Sequence, residues 1–315
     1  MRVVVTGANG FVGTHVVRKL VRDHDVLAID SLRYGPWRFC ETELKSFRND
    51  TTDLRHGAKV RALIEQFTPD VIIHLAAIHF IPECEAAPDE AVSTNVQATV
   101  NLLVACPPSC GFVYTSTAAV YAPKDTAHTE VDPIGPVDVY GFSKYHGEDF
   151  VRYFTKQRNL KSVIVRLFNV VGPGETNPHV LPEIIKQLKA GTRVLRLGNT
   201  HPKRDYIDVR DVADGFIAAA LKTRANEAQA SPTIVNLGSG KSYSVRELLD
   251  RLSMLVGFNI DVEVDAARVR AVDRLNLLSD NSRMRTLFAW EPSHGINDAL
   301  SNIWANPDFS PRVIK

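Results

Sequence analysis

At 315 residues, 44% of them apolar, the chain is long enough to bury a large core in one unit with a smaller lobe. A net charge of +1, with no long Lys or Arg run, argues against a nucleic-acid footprint and favours small-molecule chemistry. The best apolar stretch, Val71–Ile78, is interrupted by His74 and falls short of the roughly 18 residues that suggest a membrane span.

Met1-Arg2 leads straight into Val3-Val4-Val5 without a charged-then-apolar leader, so a cytoplasmic protein with no membrane partner is expected. Strands are expected at Arg2–Thr6, Asp25–Asp30, Leu44–Arg48, Val71–Leu75, Gly111–Thr115 and Ser162–Arg166. Between the first two, Val12, Val16, Val17, Leu20 and Val21 recur at helical spacing, which makes a βαβ unit. A helix around Asp89–Ala105 ends at Pro107-Pro108, where ring sterics and the missing N–H stop it. Such alternation predicts an α/β protein with a Rossmann-type doubly wound parallel sheet. Beyond about residue 170 the pattern loosens around Gly172-Pro173-Gly174 and Asn177-Pro178. The expected division is a dinucleotide-binding unit over 1–170, with segments near 205–240 returning to it, and a mixed α/β substrate lobe over 171–315. Cys40, Cys84, Cys106 and Cys110 form no CxxC pair and no metal spacing with His, so no metal site is expected.

Thr6-Gly7-Ala8-Asn9-Gly10-Phe11-Val12-Gly13 has the form TGxxGxxG between the first strand and an amphipathic helix. Gly7 and Gly10 permit a tight turn and close approach to a pyrophosphate, Gly13 lets helix and strand pack, and the helix N-terminus faces the phosphates. Asp30, seventeen residues after Gly13, closes the second strand where a carboxylate accepts bonds from the adenosine ribose. It favours NAD over NADP, since a 2′-phosphate there meets like charge, softened by Arg33; a strand-end Asp that merely caps a turn is the plain alternative. Asp50 is placed to meet the adenine edge or simply to be solvated.

Tyr140-Gly141-Phe142-Ser143-Lys144 puts a tyrosine and a lysine at i and i+4 on one helix face. Upstream, Tyr114-Thr115-Ser116-Thr117 ends a strand near where cofactors sit in open α/β sheets. A free tyrosine, with a pKa of about 10, is only about 0.1% phenolate at pH 7; work near neutrality needs roughly 3 units, about 4 kcal/mol. Lys144 and a positive nicotinamide are the expected source, because both stabilise the charged phenol in a site that excludes water.

With these motifs the sequence resembles the extended short-chain dehydrogenase/reductases, the NAD-dependent epimerase/dehydratase family, and in kind the nucleotide-sugar C4 epimerases. The resemblance spans nearly the whole chain: His74-Leu75-Ala76-Ala77, Asn95, Arg166 to Pro173, Arg204 to Val209, Asn236 to Gly240, and Asp280 to Trp290-Glu291-Pro292. It implies Tyr140 as acid/base, Lys144 as its ribose-binding partner and Thr117 as the hydroxyl on the sugar oxygen, with Thr115 and Ser116 as second choices. It further implies cofactor contacts from Phe11, Val12, Thr51, Leu75, Ala76, Ala77, His79, Asn95 and Thr115. Substrate contacts are implied for Ser116, Asn169, His179, Val180, Arg204, Arg270 and Asp273, where guanidinium groups suit phosphate.

In the family, dehydratases carry an Asp-Glu pair after the Thr117 position, decarboxylases a Glu and a 3,5-epimerase a Cys; here Ala118 and Ala119 follow. Hydride and one proton can move without further groups, and C4 epimerisation of a nucleotide-diphosphate hexose needs only those. A 4-keto-sugar reductase and a non-catalytic NAD-binding regulator are the competing readings. Departures from the pattern are Ala122 for glycine, His79 for a polar contact and His179 for asparagine, each histidine being either functional or structural. Leu277 stands near the position that governs tolerance of an N-acetyl group. The resemblance also implies a homodimer through the helices around 89–105 and 140–158.

Overall fold

The computed structural model describes residues 1–175, 177–225, 230–266 and 274–308. Its first lobe comprises β1 (Arg2–Thr6), α1 (Phe11–Leu20), β2 (Asp25–Ile29), α2 (Glu41–Leu44), β3 (Arg48–Asp50), α3 (Gly57–Phe67) and β4 (Val71–His74). There follow α4 (Ile81–Ala86), α5 (Pro88–Val92), a π-helical turn over Ser93–Gln97, α6 (Ala98–Ala105), β5 (Gly111–Thr117), α7 (Val139–Arg158) and β6 (Lys161–Leu167). Next come β7 (Asn169–Val171), α8 (Val180–Lys189), β8 (Val194–Leu197), β9 (Lys203–Asp208), α9 (Val209–Ala225) and β10 (Thr233–Leu237). The chain continues with β11 (Ser242–Ser244), α10 (Val245–Val256), β12 (Asp261–Val264), β13 (Asn276–Leu277), α11 (Ser282–Phe288) and α12 (Ile296–Ala305).

Seven parallel strands form one sheet in the order β10-β6-β5-β4-β1-β2-β3. Val3, Val4 and Val5 are wholly buried because both faces of the sheet are covered, as a parallel sheet requires. One face packs on α1, α9 and α11 through Val16, Phe216 and Phe288; the other packs on α3, α6 and α7 through Ile64, Leu102 and Val151. The sheet reverses direction of winding between β1 and β4, which opens a crevice at their C-terminal ends. Residues Gly7 and Leu75 follow those two ends directly.

The third strand differs from expectation. Leu44 ends α2, and Phe47 turns its ring into the core against Phe39, centroids 5.0 Å apart, so the apolar pair packs from a helix end and the loop after it. The strand itself is the polar Arg48–Asp50, an edge that pairs with β2 alone. The single helix expected over Asp89–Ala105 is α5, the π turn and α6 in succession, and β5 runs on to Thr117.

Beyond β6 the chain builds a smaller lobe. There β9 pairs with β11, β13 and β7, β12 pairs with β8, and Leu181, Ile185, Leu248, Leu252 and Leu300 form a separate core. Of the segments near 205–240, α9 and β10 rejoin the large sheet, whereas β9 stays in the second lobe. Among the described residues no helix is long and apolar enough to cross a membrane.

Candidate active site

A cavity of about 1280 Å³ runs from the glycine turn, along the ends of β1, β4 and β5, into the space between the lobes. Gly7 has φ +66°, and a Cβ there would sit 2.7 Å from the Ala76 backbone nitrogen. At Gly13 a Cβ would fall 2.1 Å from the Gly7 carbonyl oxygen, so the helix comes down onto the turn only with glycine there. Gly10 caps α1 without a side-chain partner, which leaves first-turn amides directed at the cavity.

Asp30 also lines the cavity and accepts from the Asn9 and Leu32 amides at 3.0 and 2.9 Å. Burial raises its carboxyl above the ordinary value, and the two amides oppose the rise. Arg33 also lines the cavity, its guanidinium paired with Glu90 and, at 3.5 Å, with Glu83. Thr115 Oγ1 is buried in the wall without a hydrogen-bond partner, an orphan that an incoming polar ligand would satisfy. Glycine turn, helix terminus, carboxylate and orphan hydroxyl together fit a dinucleotide such as NAD.

Four expected contacts lie elsewhere. Asn95 is fully buried, its amide spent on Ile78 N (2.8 Å), Ile78 O (2.9 Å) and Ser143 Oγ (2.9 Å). The π turn aims it there, and it ties the loop after β4 to α7 rather than touching the cavity. Ser116 points to the opposite face of β5 from Thr115, since strand side chains alternate, and donates to Glu148 at 2.6 Å. Asp50 accepts from the Thr52 amide at 2.7 Å, and neither it nor Thr51 reaches the cavity; Thr52, Asp53 and Leu54 line it instead.

Tyr140 and Lys144 both face the cavity from the first turns of α7, and Thr117 faces it from the end of β5. Asp138 sets where the helix starts by capping it, its Oδ1 accepting from Gly141 N at 2.7 Å. In the ligand-free chain burial holds the Tyr140 phenol above its ordinary value, and a hydrogen bond with Thr117 opposes the rise. Burial brings Lys144 down to about 7, while the Glu148 carboxylate one turn on pulls the other way. The Lys144 Nζ lies 4.4 Å from the Tyr114 ring centroid, which partly replaces its lost hydration. His74 lies behind the site, fully buried between Thr6 Oγ1 (2.7 Å) and Thr99 Oγ1 (2.9 Å).

On the substrate side, Asn169, His179, Val180, Arg204 and Leu277 all reach the cavity; Arg270 and Asp273 lie outside the described residues. His79 Nε2 is 2.8 Å from Asn177 Nδ2, and its ring meets that of His179 edge-on, centroids 6.0 Å apart, so the two histidines join the lobes across the cavity. Sequence reasoning missed Arg274 and Asn177. Arg274 directly follows Asp273, one of the residues expected at the substrate, and lines the cavity itself.

Fold and cavity define an enzyme of the short-chain dehydrogenase/reductase type, with a dinucleotide seat and a tyrosine–lysine pair on one wall. The chain belongs to the NAD dependent epimerase/dehydratase family, which matches it over residues 3–238. It is 29% identical to a UDP-glucose 4-epimerase of Lactobacillus helveticus over 96% of each chain. It is 27% identical to a GDP-6-deoxy-D-mannose reductase of Pseudomonas aeruginosa, covering 99% of this chain and 98% of that one. A solved UDP-glucose 4-epimerase from Bifidobacterium longum, in complex with NAD+ and UDP, superposes with a TM-score of 0.86 at 23% identity, over 98% of this chain and all (100%) of the other.

Proposed function

We propose that the chain is an NAD-dependent nucleotide-sugar 4-epimerase that works through a transient 4-keto sugar. The observation that carries this reading is that Tyr140, Lys144 and Thr117 share one cavity wall with the glycine turn, while alanines occupy both positions after Thr117. Relatives named as UDP-glucose 4-epimerases support it. The Gly7–Gly13 turn, Asp30, Thr115 and Lys144 would hold NAD, whose chemistry there is reversible uptake of hydride from the sugar carbon.

Tyr140 removes the proton of the 4-hydroxyl and later returns it. Its phenol is not pre-ionised in the chain alone, so ionisation waits on positive charge brought by the ligands and held by Lys144. Thr117 donates to the sugar oxygen and steadies it through alcohol and ketone. Arg204 and Asn169 keep the diphosphate while the ketone turns about that link and offers its other face. With alanine at 118 and 119, the catalytic turn supplies no second acid/base pair for elimination. A homodimer through α5, α6 and α7, and a cytoplasmic location, complete the proposal.

The reductase reading has the support of the GDP-6-deoxy-D-mannose reductase relative. Incubation of purified protein with UDP-glucose or UDP-galactose, without added reductant, separates the two: interconversion is expected. Stoichiometric consumption of reduced cofactor on a 4-keto sugar, without interconversion, would establish the reductase instead. Saturable NAD binding with no turnover across a nucleotide-sugar panel would overturn both.

A further inference from the structure

The segment from Arg274 through β13 to Asp280 is stitched to both lobes. Toward the substrate lobe, Asn276 and Leu277 pair with Lys203 and Arg204, and Arg204 Nη1 donates to the Arg274 carbonyl at 2.7 Å. Toward the dinucleotide lobe, Asn276 Nδ2 donates to the Asp125 carbonyl at 2.8 Å, and His128 N donates to the Leu278 carbonyl at 2.8 Å. The Arg274 guanidinium makes a further junction. Its Nη1 and Nη2 donate to the carbonyls of Ala118 and Ala119, at 3.3 and 3.0 Å, on the turn that follows Thr117.

That turn is where the geometry becomes specific. The Ala118 carbonyl shares a planar amide with the Ala119 N–H, and this N–H donates to Thr117 Oγ1 at 3.1 Å. A cation on the oxygen of an amide polarises it and strengthens the N–H at its other end as a donor. A hydroxyl oxygen that accepts such a bond is fixed in place and becomes a better donor through its own proton. The same turn meets α7 beside Tyr140: a Cβ at Gly141 would lie 2.9 Å from the Ala119 oxygen. Displacement of the turn therefore moves Thr117 and the seat of Tyr140 together.

We propose that Arg274 is a positioning residue that fixes and polarises the Thr117 hydroxyl through the Ala118–Ala119 peptide. Arg204, which lines the cavity, is given the diphosphate in the proposed function and holds the Arg274 backbone, couples occupation of that subsite to the turn. The inference rests on the role given to Thr117 in the proposed function.

The test uses the full chain, UDP as the binding probe and UDP-glucose as the substrate. In R274M, kcat falls about tenfold or more, the worth of a charge-assisted hydrogen bond, while KM and the Kd for UDP stay within about twofold. R274K, which keeps the charge but loses the fork, falls between, and carries the test should R274M not fold. Hydrogen exchange supplies a readout independent of turnover: UDP slows exchange of the amides at 118–121 in the wild type, and this protection is lost in the variant. A raised UDP Kd with kcat unchanged would make Arg274 a plain phosphate ligand and overturn the proposal, as would undiminished protection of 118–121. UDP-dependent protection that needs Arg274, in a chain that turns over no nucleotide sugar, would sink the proposed function and leave the coupling standing.

Discussion

The Arg166 guanidinium grips the Glu148 carboxylate with two hydrogen bonds of 2.8 Å, Nε to Oε1 and Nη2 to Oε2, in a place closed to solvent. Ser116 Oγ at 2.6 Å and Arg152 Nη2 at 2.7 Å complete the shell of Glu148, one helical turn beyond Lys144. The carboxylate thus joins β5, β6 and α7 behind the catalytic wall and places a negative charge near the lysine.

Breaking a buried pair leaves the other charge uncompensated, which costs about 3–5 kcal/mol. Glu148→Gln is expected to lower stability to urea by that order. The double variant Glu148→Leu, Arg166→Met removes both charges and is expected to recover much of the loss. A single variant as stable as the wild type would show that the pair does not hold these elements together.

Lys144 gives the cofactor-free protein a definite pH dependence. Its ordinary value of 10.5 falls to about 7 in the folded chain. Between those values the unfolded chain holds a proton that the folded chain has released, so raising the pH through this window stabilises the fold. The gain is at most about 1.4 kcal/mol per pH unit for one proton. Below pH 7 both states are protonated and the burial penalty is fully present. Lys144→Met should therefore gain on the wild type at pH 6 and lose that advantage toward pH 10. Parallel pH–stability curves from denaturant melts would contradict the assignment.

Tyr140→Phe removes one oxygen and keeps the ring, so folding and dinucleotide binding should survive. Acid/base assistance of this kind is worth about 10²–10⁴ in rate, and kcat should drop by that much. Thr117→Val should lose about tenfold to a hundredfold, the equivalent of one hydrogen bond to a charged oxygen. Steady-state rates with UDP-glucose, alongside NADH fluorescence titration, separate the two effects. Full turnover in Tyr140→Phe would remove the tyrosine from the mechanism.

Most of the first lobe was legible because its signals are local. The glycine turn, the β-branched runs of β1 and β4 and the Tyr140–Lys144 spacing each follow from what neighbouring residues require of the backbone. Arg48–Asp50 was not legible, because an edge strand with polar side chains has no alternation, while Leu44 and Phe47 imitate a strand by packing from a helix end and a loop. Ser116 and Asn95 carry polar groups suited to a ligand but spend them on Glu148 and Ile78. Only tertiary placement decides such a choice. Arg274 acts through partners 155 and 156 positions away, a range over which sequence spacing says nothing.

Asp30 accepts two backbone amides and lines the dinucleotide seat, so its replacement should act twice. Asp30→Ala is expected to weaken NAD by about tenfold and to cost about 1 kcal/mol of stability from the two lost acceptor bonds. Asp30→Asn keeps one acceptor oxygen, removes the charge, and should narrow the preference for NAD over NADP. Titration of both dinucleotides against each variant reads this directly. An unchanged NAD affinity in Asp30→Ala would leave the carboxylate a turn cap.

The outer faces of α5 and α7 carry Val92, Phe150 and Tyr153 at 49, 38 and 58% exposure. Val92 of α5, Val96 of the π turn, Val100 of α6 and Phe150 of α7 line one shallow groove, and a second copy of the same face would fill it by twofold symmetry. Phe150→Asp puts two charges at the centre of that contact in a dimer and none in a monomer's interior. Sedimentation of the wild type should give about twice the chain mass and of the variant about one chain mass, with the circular dichroism spectrum unchanged. A monomeric wild type at micromolar concentration would show that these side chains stay in water.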